Sequence, residues 1–216
     1  MSFYSGDGRL PDLHLFALFM AGALALNLTP GPDMTFVLAQ AAHRGTRAGL
    51  AAALGIGAGT IFHMTLAAFG LAALFAAWPL AFDIVRYAGA AYLVWIAIGM
   101  LRHPPHLSAP GAAHSVHTAF RQGVVTNIFN PKVAIFFIAF LPQFVVQGAG
   151  PAWMQILVLG VCFDISGTLV NCAVAFGGGK LAGRLRATPA FGKILGWISA
   201  SVMVGLALRL ALLERR

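Results

Sequence analysis

Four ionisable side chains, Asp33, His63, Lys132 and Asp164, stand inside stretches that are otherwise apolar. Two of them directly follow prolines. Asp33 closes the run Asn27-Leu28-Thr29-Pro30-Gly31-Pro32-Asp33, and Lys132 closes Asn127-Ile128-Phe129-Asn130-Pro131-Lys132. A carboxylate, an ammonium and asparagine amides at two such breaks can bind a small zwitterion. The prolines add to this chemistry. A proline in a helix frees a backbone carbonyl, and lipid cannot satisfy one, so broken backbone survives only inside protein or beside a wet cavity. Thr29 suits the N-cap of a half-helix starting at Pro32, and Asn130 suits the N-cap before Pro131. Each break then presents a half-helix N-terminus whose free N–H groups accept an anion. An acid in a first turn is favoured by the helix dipole, so Asp33 has a structural reason to be there. A cation in a first turn opposes the dipole, so Lys132 breaks a local rule at a costly place.

Asp164 lies about 12 residues into one apolar run, and His63 lies 16 residues into another. Each is read as a proton relay or as a hydrogen-bonded packing residue. Gly55, Gly57, Gly59 and Gly89 are read as close-packing positions between helices rather than as a nucleotide loop. Gly177-Gly178-Gly179-Lys180 reads as a helix end with a cation close by, and the pattern of a phosphate loop around it is missing. His103, His106, His114 and His117 sit among Pro, Gly, Ala and Ser with no carboxylate or cysteine, so they are read as a solvated loop and no metal is expected. Cys162 and Cys172 would lie about 15 Å apart along one helix, too far for a disulfide. No cofactor is expected.

The elements that must position these residues follow from composition. The chain has 216 residues, 59% apolar and only 9% charged, against roughly 25% charged in a soluble domain. That excludes a soluble globule and a disordered chain. The length fits six spans of about 20 residues. The basic residues sit in short loops between apolar runs, so the net charge of +8 speaks for membrane orientation rather than for nucleic acid.

The expected architecture is an all-α integral membrane protein. An N-terminal tail covers residues 1–12, a first three-span repeat 13–101, a polar central loop 102–121, a second three-span repeat 122–213 and a C-terminal tail 214–216. No cleavable signal peptide is evident, since Asp7 and Asp12 stand where a basic region would. The first span of each half is broken by proline. An odd number of spans per half inverts the second copy, and paired breaks of this kind mark a transporter site. Arg44, Arg47, Arg102, Arg121, Lys180, Arg184, Arg186 and Lys193 fall on one side, against Arg9, Arg86, Arg209, Arg215 and Arg216 on the other. The imbalance places both termini outside the cytoplasm.

These stretches, taken together, resemble the LysE/RhtB family of amino-acid exporters. The resemblance rests on Asn27-Leu-Thr-Pro-Gly-Pro-Asp33, on Gly45-x-Arg47-x-Gly49-Leu50 with Leu54-Gly55-Ile56 and Gly59, on Gly89-Ala-Ala-Tyr-Leu93 and Gly99, on Phe120-x-x-Gly123 with Asn127-x-x-Asn130-Pro131-Lys132, and on Gly205-Leu206-x-x-Arg209-Leu210. It spans the whole chain and departs in the His- and Pro-rich central loop, where nothing functional is carried over. The resemblance implies a six-span inner-membrane exporter driven by an ion gradient, in a family handling basic, neutral and sulfur-containing amino acids. The expected partners are an amino-acid substrate, protons and lipid, and homo-oligomerisation is compatible with the sequence. The expected substrate-binding residues are Asn27, Pro30, Asp33, Asn127, Asn130, Pro131 and Lys132, with Lys132 on the substrate carboxylate and Asp33 plus the freed carbonyls of the first span on the ammonium. Asp33, Asp164 and His63 are the candidates for proton coupling. Two other classes stay open on sequence: a non-transporting accessory subunit, and an intramembrane aspartyl enzyme using Asp33 and Asp164.

Overall fold

A computed structural model gives the structure and describes residues 13–71, 80–102, 115–146, 148–187 and 189–212. Among these residues every regular element is a helix. The expected tails, His103, His106 and His114 lie outside the described residues; His117 lies in the first turn of the helix that opens the second half.

Helices α1 (Leu13–Leu28) and α2 (Pro32–Arg44) meet at the first break, bent by 48°. Helix α3 (Thr46–Thr65) continues as π-helix over Leu66–Leu71, and α4 (Leu80–Arg102) follows. In the second half, α5 (Val116–Ile128) meets α6 (Pro131–Ile135), which runs on through a π turn (Phe136–Phe140) and a 3-10 turn (Leu141–Phe144). This second break bends by 47°. Two long helices close the chain, α7 (Ala152–Ala187) and α8 (Pro189–Leu212). Two helical stretches, Thr46–Gly70 and Ala152–Gly178, are long and apolar enough to cross a membrane on their own, and each bent pair makes a further span if counted as one. Shorter apolar stretches lie in α4 (Tyr87–Gly99) and α8 (Gly196–Leu208).

Two expectations about element ends are corrected. The Gly177-Gly178-Gly179-Lys180 run does not end its helix, because α7 continues to Ala187. Glycine here serves packing: a Cβ on Gly178 would come 2.5 Å from the Ala41 methyl of α2. The helix before the second break starts at Val116 rather than near Gln122, because Ser115 caps it by accepting the Thr118 N–H at 3.1 Å.

Glycine contacts fix how the helices run. Gly55 of α3 lies against the Phe120 carbonyl, Gly123 of α5 lies against the Ala52 carbonyl, and Asn127 sits on Gly59. So α3 and α5 run parallel with their backbones touching. Asn27 sits on Gly167, and Ala41 on Gly178, so α1 and α2 run parallel to α7. Gly49 meets Ala175, and Gly160 meets Met64, so α3 and α7 are antiparallel. Each broken pair therefore lies along a long helix of the other half, while α4 packs on α8. Lipid offers no hydrophobic drive between helices, so such close van der Waals contact is what holds them.

The interior is packed differently at its two ends. One end is a phenylalanine cluster of Phe19, Phe136, Phe137, Phe140, Phe144 and Phe163, with ring centroids as close as 4.2 Å for Phe136 and Phe163. The other end is small: Val37, Ala41, Ala52, Ala53, Ile56 and Ala175, with Ala48, Ala51 and Ala119 beside them.

Candidate functional site

The two breaks face each other between these ends. Pro30 removes the donor that would have served the Leu26 carbonyl, four residues earlier in α1. The Lys132 ammonium of the other half takes that carbonyl at 3.1 Å and the Thr29 carbonyl at 2.8 Å. Pro131 in turn removes the N–H that would serve the Asn127 carbonyl four residues earlier, leaving it the Asn130 N–H at 2.8 Å. His63 of the first half is its second partner, with Nε2 at 2.9 Å. An imidazole nitrogen facing a carbonyl must carry the proton and donate. Each half thus adds a second donor to the carbonyl whose usual helical donor proline removed in the other, since the Leu26 carbonyl also accepts the Thr29 N–H at 3.1 Å.

The capping expectation holds at one break and fails at the other. Asn130 is the N-cap of α6, its Oδ1 accepting the Lys132 backbone N–H at 3.0 Å. Thr29 is not the N-cap of α2. Its hydroxyl donates to the Ala25 carbonyl of its own helix at 2.6 Å, and Gly31 occupies the cap position without a side chain. The Lys132 side chain lies over this glycine, 3.2 Å from where a Cβ would sit.

Asp33, in the first turn of α2, is 6% exposed. Its Oδ2 accepts the Asn127 side-chain amide at 2.8 Å, and Oδ1 has no partner. The Asn127 carbonyl oxygen of that amide lies 3.4 Å from the Thr60 hydroxyl. Asn27 donates to Ser166 Oγ at 3.0 Å and to the Phe163 carbonyl at 3.2 Å. Lys132 is 6% exposed and makes no ion pair with Asp33; its protons go to backbone carbonyls.

Asn27, Asp33, Asn127, Lys132 and Asp164 line one cavity of about 20 Å³, enough for a single water. Its apolar wall is Met34, Ile56, Val133 and Phe163. Asn130 and His63 stand behind the lining as partners of Lys132 and Asn127. Pro30 is buried, Pro131 is exposed, and neither lines the cavity. Thr60, Thr168 and Asn171 also line it; the expected site lacked all three. Two of them share the dipeptide Gly-Thr, at Gly59-Thr60 and Gly167-Thr168, but it also occurs outside the cavity at Gly45-Thr46, so by itself it would not have found them. Asp33 and Asp164 share no hydrogen bond, so they do not form the proton-sharing dyad an aspartyl enzyme requires.

Helices broken at paired prolines around a polar cavity inside apolar packing define a membrane translocator. The comparisons with known proteins agree. Residues 24–214 match the LysE type translocator family model. The chain belongs to that family, whose members are transporters and not enzymes. It is 36% identical over 178 residues to an uncharacterized membrane protein of Pseudomonas aeruginosa, covering 79% of this chain and 82% of that one. It is 34% identical over 176 residues to an uncharacterized membrane protein of Vibrio cholerae, covering 81% and 83%. It is 30% identical over 205 residues to a leucine efflux protein of Enterobacter sp. (strain 638), covering 92% and 96%. No solved structure matches the chain.

Proposed function

We propose that the protein exports a neutral amino acid with an aliphatic side chain across the inner membrane, in exchange for protons moving inward. The observation that carries this reading is the cavity. It combines one ammonium and two carboxylates with a wall of Met34, Ile56, Val133 and Phe163, which suits a zwitterion bearing an apolar group. The leucine efflux relative supports the same substrate class. In this reading Lys132 holds the substrate carboxylate with its remaining N–H. Asn27, Asn127 and Asn130 keep the two breaks in place, and Pro30 and Pro131 act through the backbone they free. Asp33 is the coupling residue, carrying a proton when its cavity faces outward and losing it inward.

The alternating-access frame is six spans in two inverted three-span halves. Supporting it are the equal bends at the two breaks and the pairing of each bent pair with the long helix of the other half. Both termini lie outside the cytoplasm, with the Arg44, Arg47 and Arg121 end inside. The cavity is too small for an amino acid, so transport requires it to widen as one end opens.

The test is counterflow in proteoliposomes. Vesicles preloaded with unlabelled leucine should accumulate labelled leucine transiently, and an imposed proton gradient should drive net movement. Vesicles that exchange no amino acid from a panel of neutral, basic and sulfur-containing ones would overturn the reading.

A further inference from the structure

The sequence offers Asp164 as a second proton carrier, but its surroundings fit another role. Helices α3 and α7 repeat each other around the cavity. Asn127 is seated on Gly59 of Gly59-Thr60, and Asn27 is seated on Gly167 of Gly167-Thr168. With the two Gly-Thr pairs superposed, His63 corresponds to Asn171 and Ile56 to Asp164. Both Ile56 and Asp164 line the cavity. The fold therefore fills the same slot with a buried isoleucine on one side and a carboxylate on the other. Packing does not call for the charge.

Nor does the protein neutralise it. Among the described residues the carboxylate meets only neutral threonine hydroxyls, Thr168 of its own helix at 3.5 Å from Oδ1, at the outer limit of a hydrogen bond, and Thr60 of α3. Across from it, α3 presents Gly57, where a Cβ would sit 3.4 Å from Oδ1 and 2.7 Å from the Thr168 hydroxyl. The bare glycine lets Thr168 and Asp164 pack directly against the α3 backbone, at the wall of the cavity. The other acceptors suited to an ammonium, the carbonyls of Leu26 and Thr29, are occupied by Lys132. One oxygen of Asp33 is already held by Asn127.

We propose that Asp164, flanked by the hydroxyls of Thr60 and Thr168, binds the α-ammonium of the substrate, while Ile56 in the mirrored slot faces its aliphatic side chain. This assignment rests on the export reading above. It fixes the substrate's orientation, with the carboxylate toward Lys132 on α6 and the ammonium toward α7, and it leaves proton coupling to Asp33.

The experiment compares two ligands in one protein. Leucine and 4-methylpentanoate, which is leucine without its ammonium, compete against labelled leucine in proteoliposome exchange. Ligand-induced shifts in melting temperature of the purified protein give the same comparison without transport. The wild-type protein should prefer leucine strongly. In Asp164→Asn the affinity for leucine should fall about 10- to 100-fold, the size expected for a charged hydrogen bond, and that for 4-methylpentanoate should not, so the preference collapses. Asp164→Glu should recover part of it. The preference is a ratio within each variant and does not depend on how much protein folds. If Asp164→Asn does not accumulate, Thr60→Val and Thr168→Val should each reduce the same ratio, and an unchanged ratio in both overturns the proposal. So does an Asp164→Asn variant that keeps the wild-type preference, or that loses only proton-driven export. A wild-type protein inert toward every amino acid would overturn the export reading itself, a different result.

Discussion

Lys132 does two jobs that pull against each other. Its ammonium satisfies backbone carbonyls of the opposite half, which is structural work, and it is the cation of the cavity. Lys132→Met should abolish leucine counterflow. It also leaves the Thr29 carbonyl buried without a donor, so it should cost about 1–3 kcal/mol of stability, read as a lower melting temperature in detergent with membrane insertion retained. Asp33→Asn separates roles more cleanly. The amide oxygen of an asparagine can still accept from Asn127, so the local network survives while the proton site is lost. Gradient-driven export should disappear, and passive leucine-for-leucine exchange should remain. If the variant still concentrates leucine under an imposed proton gradient, Asp33 is not the coupling residue. Much of this site was legible because proline and charge are local signals. What was not legible depended on the partner half. Lys132 lies over the bare cap Gly31, and no property of the Thr29-Pro30-Gly31 sequence announces that. The threonine hydroxyls were hidden for another reason: Thr65 and Thr126 bond back into their own helices, so a threonine in an apolar run carries no signal by itself.

Hydrophobic length alone carries two of the expected spans, Thr46–Gly70 and Ala152–Gly178, and two more if each bent pair counts as one; element ends were misread where contact decides them. Three consecutive glycines look like a helix end, yet in α7 they lie within a helix of 36 residues, about 54 Å long. Helix geometry tolerates glycine when a neighbour needs the space, and Ala41 needs it at Gly178. The same distinction separates glycines that look alike in sequence. Gly55 and Gly123 each face a backbone carbonyl of the neighbouring helix, whereas Gly99 and Gly205 have nothing within 4 Å of an added Cβ. Gly55→Ala and Gly123→Ala should force α3 and α5 apart, lowering stability by about 1–3 kcal/mol or more and reducing transport. Gly99→Ala should be neutral or gain up to about 1 kcal/mol from helix propensity. Thermal unfolding of the three purified variants checks the contrast, and equal effects would remove the packing argument.

At the scale of the whole molecule, the packing on the two sides of the cavity is made of different materials. Stacked phenylalanine rings fill the end near Phe144, while alanine and glycine contacts fill the end near Arg44, Arg47 and Arg121. Ring packing is worth about 0.5–1.5 kcal/mol per pair beyond area burial, and methyl contacts carry no such extra. The small-residue end is therefore the cheaper one to open, and the proposed topology puts it on the cytoplasmic side, where an exporter takes its substrate. The orientation is checked by cysteine labelling in a background lacking Cys162 and Cys172. Thr46→Cys should react with an impermeant maleimide only in inverted vesicles, and Ala149→Cys only in intact cells. The reverse pattern would invert the topology.

The exchanged hydrogen bonds of Lys132 and His63 also bear on how the chain is made. A ribosome completes the first half while Lys132 and Asn127 have yet to be translated, so the Thr29 carbonyl and Asp33 enter the membrane without their partners. Until the second half arrives, the first has every reason to stay beside the insertion machinery or to be degraded. Expressed separately, residues 1–102 and 103–216 should each be short-lived, and co-expression should rescue both. Pulse-chase half-lives measure this, and a first half that is stable alone would show that Lys132 is not needed to hold the first break together.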